Sequence, residues 1–155
     1  MHVMDRQGRI SRRFRRRVVF VAICALACLF AVSRLRANSF REPHRLTLER
    51  MTLIEDALDR YSVDNGGELP STEQGLRALL KRSEAEPAPR NWCGPYLDSH
   101  ETIFDGWGHK LHYVAPGGGA SRRPYDLWSL GSDNASGGTG PTADTKSWEP
   151  RTLAH

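Results

Sequence analysis

The stretch "RLTLERMTLIEDALDRYSVDNG", residues 45–66, decides how the rest of the chain is read. Leu48, Met51, Ile54, Leu58 and Tyr61 recur every three or four positions, so on a helix they line up as one apolar stripe. Glu49, Glu55, Asp56, Asp59 and Arg60 fall mainly off that stripe. Asn65-Gly66 supplies residues that tolerate the left-handed conformation in which helices commonly end. Pro43, just upstream, marks a kink or boundary. The spacing predicts a long helix that must lay its stripe on a partner layer.

Upstream lies "VVFVAICALACLFAV", residues 18–32, preceded by "SRRFRRR" at 11–17. Fifteen apolar residues span roughly 22 Å as a helix, short of a hydrocarbon core of about 30 Å. Long arginine side chains on both flanks can reach back to the interface. The excess of arginine before the run predicts an N-terminus on the cytoplasmic side. A cleaved signal and a retained anchor both fit the length. Four apolar residues follow Cys28, where a lipoprotein would turn polar, and the arginines lack a twin-arginine order, so an uncleaved anchor is the preferred reading. The chain thus divides into a basic stub at 1–17, a membrane anchor helix at 18–37 and an exported domain at 38–155.

Charge distribution excludes one class of partner. The net charge of +4 invites a nucleic-acid reading, but residues 1–17 carry seven Arg and one Asp. The remaining 138 residues hold 15 Lys plus Arg against 17 Asp plus Glu, so the domain itself is slightly acidic. A phosphate-binding face needs clustered cations on the domain, and no nucleic-acid partner is expected. Cys93 is the only thiol beyond the apolar run, so no disulfide forms within the exported domain.

Downstream, "LPSTEQGLRALLKR", residues 69–82, predicts a short second helix with a Ser71/Gln74 capping box. An aromatic-rich irregular loop comes next. "IFDGWGHKLHYVAP" at 103–116 and "RRPYDLWSLG" at 122–131 read as two β runs bridged by a glycine-rich connection. Trp107, with Asp105 and Gly108, shapes a sheet corner; Tyr125 and Trp128 belong to the core. His109 and His112 point to opposite faces of an extended strand, which argues against a shared zinc. No nucleophile-elbow or paired-acid context is present, and an enzyme is not expected.

Three segments in unbroken order carry a resemblance. "ALDRYSVDNGGELPSTEQGLRALL" at 57–80 is similar to a helix end followed by Y-x-x-DN-x-x-x-P-[ST]-T-x-QGL. "PRNWCGPYLDSHETIFDGWGHKLHYVAPG" at 89–117 is similar to PRN…Y…DPWGNPY-x-Y-x-x-PG. "YDLWSLGSDNASGGTGPTADTKSW" at 125–148 resembles YD-[LI]-[FY]-SLG-x-DG…GG…AD-I-x-NW. Together they resemble the major pseudopilin family of the bacterial type II secretion system. That resemblance implies an α+β, pilin-like fold, with a long N-terminal helix packed on a small antiparallel sheet and a calcium-binding C-terminal loop. It also implies a structural subunit of the periplasmic pseudopilus that helps exoproteins leave the cell. Other pseudopilins and secretion components would be its partners, in a possible homopolymer rooted as a single pass in the bacterial inner membrane.

The last segment suits such an ion. It is rich in oxygen donors and offers no His or Cys between 129 and 148, which favours calcium over zinc or copper. Asp133 and Asp144 can supply the negative charges, with glycines 137, 138 and 140 letting the chain double back. The family pattern, carried over by position, implies the Leu130 carbonyl and oxygens of Thr142 and Thr145 as further ligands. Thr145 stands where some members place a second acid. Without the resemblance, the same residues read as a solvated tail whose acids favour turns. An EF-hand is excluded, because Asn134 and Ala135 break its acid alternation.

The N-terminus departs from the pattern. Processed family members show Gly-Phe at the start of the apolar run and a Glu five residues into the mature chain. Here Arg17 meets Val18, and Ala22 stands where the Glu would be. "MTLIE" at 51–55 mimics the processing site, but "DALDRYSVDN" succeeds it in place of an apolar segment. An alternative is therefore an unprocessed, anchored, non-polymerising relative acting as a periplasmic binding or regulatory module.

Overall fold

A computed structural model describes residues 12–118 and 123–150. The chain divides into two compact units, residues 1–39 and 40–155. One helix, α1, runs Arg12–Asp64 with Pro43 inside it. In the first unit its apolar side chains are uncovered: Val19, Phe20, Val21, Ile23, Leu26, Leu29 and Phe30 are all exposed. Among the described residues no helix is long and apolar enough to cross a membrane. Of the basic stub at 1–17, residues 1–11 lie outside the described residues and the rest begins α1.

The second unit uses the stripe as the sequence predicts. Met51, Ile54, Leu58 and Tyr61 are buried, joined by Ala57, while Leu48 at the start of the stripe is half-buried; Glu49, Asp56, Asp59 and Arg60 face solvent. The helix ends where Asn65 turns its side-chain amide back onto the Tyr61 carbonyl (2.9 Å). Against the stripe pack Leu76, Ala78 and Leu79, then Tyr96, Leu97 and Ile103, then Leu111, Tyr113 and Leu127.

The predicted second helix is shorter than its sequence pattern. Its capping box forms, with Ser71 N–H donating to Gln74 Oε1 (2.9 Å) and Gln74 N–H to Ser71 Oγ (3.2 Å). Beyond the box the chain makes a single 3-10 turn, Leu76–Leu79, because Gly75 takes a positive φ of 56° and breaks the helical path. The Gln74 amide instead ties the next loop down, donating to the carbonyls of Ala85 and Pro87.

The sheet has three antiparallel strands in the order β1 (His112–Val114), β2 (Asp126–Ser129) and β3 (Thr145–Lys146). Tyr113 and Leu127 face the core, whereas His112 pairs across to Trp128, and Trp128 to Lys146, on the other face. Trp128 is therefore not a core residue. It stacks on His112 (5.0 Å between ring centres) and meets Trp148 edge-on (6.4 Å). The glycine-rich connection between β1 and β2 falls partly outside the described residues, at 119–122.

Candidate metal loop

β2 delivers the chain into the loop and β3 takes it back, with Ser129 registered opposite Thr145. Residues 130–144 are thus a closed loop, not a free tail. The turn begins at Gly131, whose φ of 73° suits a residue without a side chain. A 3-10 turn spans Gly131–Asp133 and ends at Asn134 in the left-handed region. A second spans Gly140–Thr142, and the two pack against each other. Contact there is tight: a Cβ on Gly131 would stand 2.9 Å from the Thr142 and Ala143 carbonyl oxygens.

The expected ligands occupy distinct places on this loop. Leu130 follows β2 and precedes the turn at Gly131. Asp133 is exposed, and its Oδ1 accepts the Ala135 N–H (3.2 Å). Asp144 is half-buried on the returning limb; its Oδ1 accepts the Gly137 N–H (3.1 Å), and its own N–H donates to the Gly137 carbonyl (3.3 Å). The Thr142 hydroxyl is committed to Thr139, donating to its carbonyl and accepting its N–H. Its backbone carbonyl lies against Gly131 and Gly138. Thr145 is buried in β3.

The structure therefore brings Gly131 against Thr142 and Ala143, ties Asp133 to the neighbouring Ala135 N–H, and ties Asp144 across the second turn to Gly137. Among the described residues no group of three or more His, Cys, Asp or Glu stands where a metal ion could be held. A cation here must draw on backbone and hydroxyl oxygens beside two carboxylates, which is the chemistry of a hard ion. His109 and His112 do not meet: His112 stacks on Trp128, while His109 Nδ1 lies 3.1 Å from the Gly131 carbonyl.

Two features beside the loop were not read from the sequence. Asp105, 1% exposed, accepts N–H bonds from Trp107 (3.0 Å) and His109 (2.8 Å) on Oδ1, and the Ser129 hydroxyl (2.6 Å) on Oδ2. The sequence placed Asp105 at a corner; a carboxylate two residues before a Trp-Gly turn was the available signal. At the other end of β2, Arg123 Nε bonds Asp126 Oδ1 (2.7 Å), and that bond holds the Asp126 carboxyl below the usual carboxylate range. The Arg123 guanidinium also covers the Trp148 ring at 4.4 Å, fixing the chain just past β3.

Residues 43–148 match the family described as type II secretion system, protein G. The type II secretion system core protein G of Pseudomonas aeruginosa is 35% identical over 134 residues, covering 84% of this chain and 90% of that one. Its counterpart in Vibrio cholerae is 33% identical over 132 residues, covering 84% and 86%. Among solved structures, the major pseudopilin from the type 2 secretion system of enterohaemorrhagic Escherichia coli superposes with a TM-score of 0.57 at 29% identity, over 74% of this chain and 93% of that one. The helix laid on a small antiparallel sheet is the pilin-like fold, and the chain belongs to the type II secretion system protein G family.

Proposed function

We propose that this chain is a structural pseudopilin whose C-terminal loop is held closed by calcium. The observation that carries the calcium reading is the loop's own closure. β2 and β3 bring its two ends together, and the 3-10 turns ending in Asp133 and Thr142 pack on each other. The carboxylates of Asp133 and Asp144, the Leu130 carbonyl and oxygens of Thr142 and Thr145 are the donors available to it. Because the Thr142 hydroxyl already serves Thr139, its carbonyl is the oxygen best placed to contribute. A bound calcium shared by Asp133 and Asp144 links the return of the chain to its departure. With no catalytic constellation invoked, the role is structural.

The chain in detergent, stripped with chelator and titrated with calcium, tests this. At a free concentration about 100 times the dissociation constant, the ion adds about 2.7 kcal/mol, or a rise in midpoint of roughly 10 °C. Asp133→Asn with Asp144→Asn abolishes that rise. An unchanged midpoint in the parent chain at millimolar calcium refutes the calcium reading and leaves the family untouched.

Residues 18–37 act in this proposal as the inner-membrane anchor, with the head in the periplasm. The uncovered apolar side chains of residues 19–30 and the flanking arginines support that placement. The other pseudopilins and secretion components are the partners. A second reading comes from Arg17-Val18 and Ala22, which replace the processing site and the buried acid: an anchored form that does not polymerise. An N-terminus left intact by prepilin peptidase, with no crosslinks between copies, selects the second reading.

A further inference from the structure

The sheet corner at 105–109 reaches the mouth of the loop through hydrogen bonds that the fold alone does not require. Ser129 is 1% exposed, and its hydroxyl works in two directions, donating to Asp105 Oδ2 (2.6 Å) and accepting the Gly131 N–H (3.1 Å). His109 Nδ1 stands 3.1 Å from the Gly131 carbonyl. A carbonyl can only accept, so Nδ1 carries the hydrogen. Both backbone polar groups of Gly131 are thus gripped by side chains. The peptide between Leu130 and Gly131 is planar and trans, so fixing the Gly131 N–H also fixes the Leu130 carbonyl, which points the opposite way.

The grip is rooted in α1. Arg50 Nη1 donates to the Asp105 carbonyl (2.8 Å). The Thr47 hydroxyl accepts the Gly106 N–H (2.9 Å) and donates to the Pro43 carbonyl (2.8 Å). With both oxygens of Asp105 occupied, the corner has little freedom to turn. Two positions depart from the family's DPWGN: Gly106 stands where it has Pro, and His109, the one that touches the loop, where it has Asn.

We propose that Asp105, Ser129 and His109 form a clamp on Gly131 that positions the Leu130 carbonyl and Asp133 for the loop's cation. This rests on the calcium reading above, and it makes the three side chains positioning residues, none of them a ligand. Their contribution is pre-organisation: a loop mouth already fixed loses less freedom when the ion arrives.

The test uses the full chain in detergent as wild type, Ser129→Ala, His109→Ala and His109→Asn. Two quantities are read: amide hydrogen exchange across 130–144 with calcium chelated, and the calcium dissociation constant by calorimetry. Ser129→Ala and His109→Ala each speed exchange and weaken calcium binding by about tenfold, the worth of one buried hydrogen bond. His109→Asn, whose amide can donate at the same place, stays within about threefold of wild type on both. His109 is 31% exposed, so its variants keep the test alive should Ser129→Ala not fold. Equal loss of melting temperature with and without calcium, at an unchanged dissociation constant, overturns the positioning role. If wild type binds no calcium, the calcium reading fails and exchange alone judges the clamp: faster exchange in the variants upholds the grip on Gly131, and unchanged exchange overturns it.

Discussion

Restoring the family residue at position 106 should damage this protein. The family segment reads DPWG where this chain reads Asp105-Gly106-Trp107-Gly108, and replacing a glycine by a proline normally stabilises by about 0.4–1 kcal/mol through the unfolded state. The structure opposes that gain in two ways. A Cβ on Gly106 would lie 1.9 Å from the Pro43 carbonyl oxygen, with the Pro43 carbonyl carbon and Cα also within 2.7 Å. These are backbone atoms of α1 and cannot rotate away, so the helix or the corner must shift, at about 1–3 kcal/mol. Proline also removes the N–H that donates to the fully buried Thr47 hydroxyl (2.9 Å), costing about 1–2 kcal/mol more. Gly106→Pro is therefore expected to lose about 1–5 kcal/mol net. Gly106→Ala keeps the N–H and should fall between it and wild type. Pro43→Ala in the same chain should give no rescue, since the atoms struck belong to the backbone. Urea unfolding with chelator present, read by tryptophan fluorescence, measures all of these. A Gly106→Pro chain as stable as wild type refutes the close approach of corner and helix.

Gly131→Ala and Gly137→Ala both place a side chain at positive φ, but only the first strikes backbone, at 2.9 Å. Gly137→Ala should cost about 1–2 kcal/mol and Gly131→Ala about 1–3 kcal/mol beyond that, with equal losses in chelator telling against the packed loop. Tyr113→Phe removes the buried hydroxyl that donates to the Pro70 carbonyl (2.8 Å); thermal unfolding should show a loss of about 1–3 kcal/mol from the stranded acceptor. Burial also raises the Tyr113 phenol above its ordinary range, so its share of stability is complete below about pH 10 and is lost as pH rises beyond it. The phenolate absorbance band of this residue should therefore grow only with unfolding. The Asp126 carboxyl is lowered, chiefly by Arg123; its contribution is present above about pH 4 and disappears as pH falls through the lowered value. Asp126→Asn should flatten that acid limb in urea midpoints taken across the range, and an unchanged slope excludes the pair as its source.

The parts of the fold legible in the sequence are those carried by local pattern. The stripe from Met51 to Tyr61 is buried because its spacing leaves one side of α1 apolar, whatever it meets. The Ser71/Gln74 box was readable for the same reason, yet the helix it opens stops after one turn at Gly75, where backbone conformation outweighs propensity. β3 was not legible: two residues in a loop rich in glycine and aspartate have no period to read, and only pairing with β2 makes them a strand. Hydrophobicity alone places Trp128 in the core. Strand alternation puts Leu127 inward and Trp128 outward, and both residues of that pair are apolar. The acids of the loop could be named from composition and resemblance. The grip of Asp105, Ser129 and His109 could not, because it joins residues 20 or more positions apart through side chains that are individually ordinary.

The division of the chain into two units bears on assembly. Among the described residues the buried apolar core runs from Met51 to Leu127, and the family match runs from 43 to 148. Arg17, Val18 and Ala22 stand outside both. Substitution there is expected to leave the stability of the head unchanged. Head stability and loop closure therefore constrain each other through Gly106, Gly131 and the corner between them. In the anchored, non-polymerising reading proposed above, polymerisation is governed separately, by the residues around the start of the apolar run. A chimera placing Gly-Phe and the fifth-position Glu at the start of that run, with residues 40–155 unchanged, isolates the two. It should melt at the same temperature as the parent head, and any gain in peptidase processing or inter-copy crosslinking is then assigned to the N-terminus alone. A shift in head stability would show that the two ends are coupled and refute this separation.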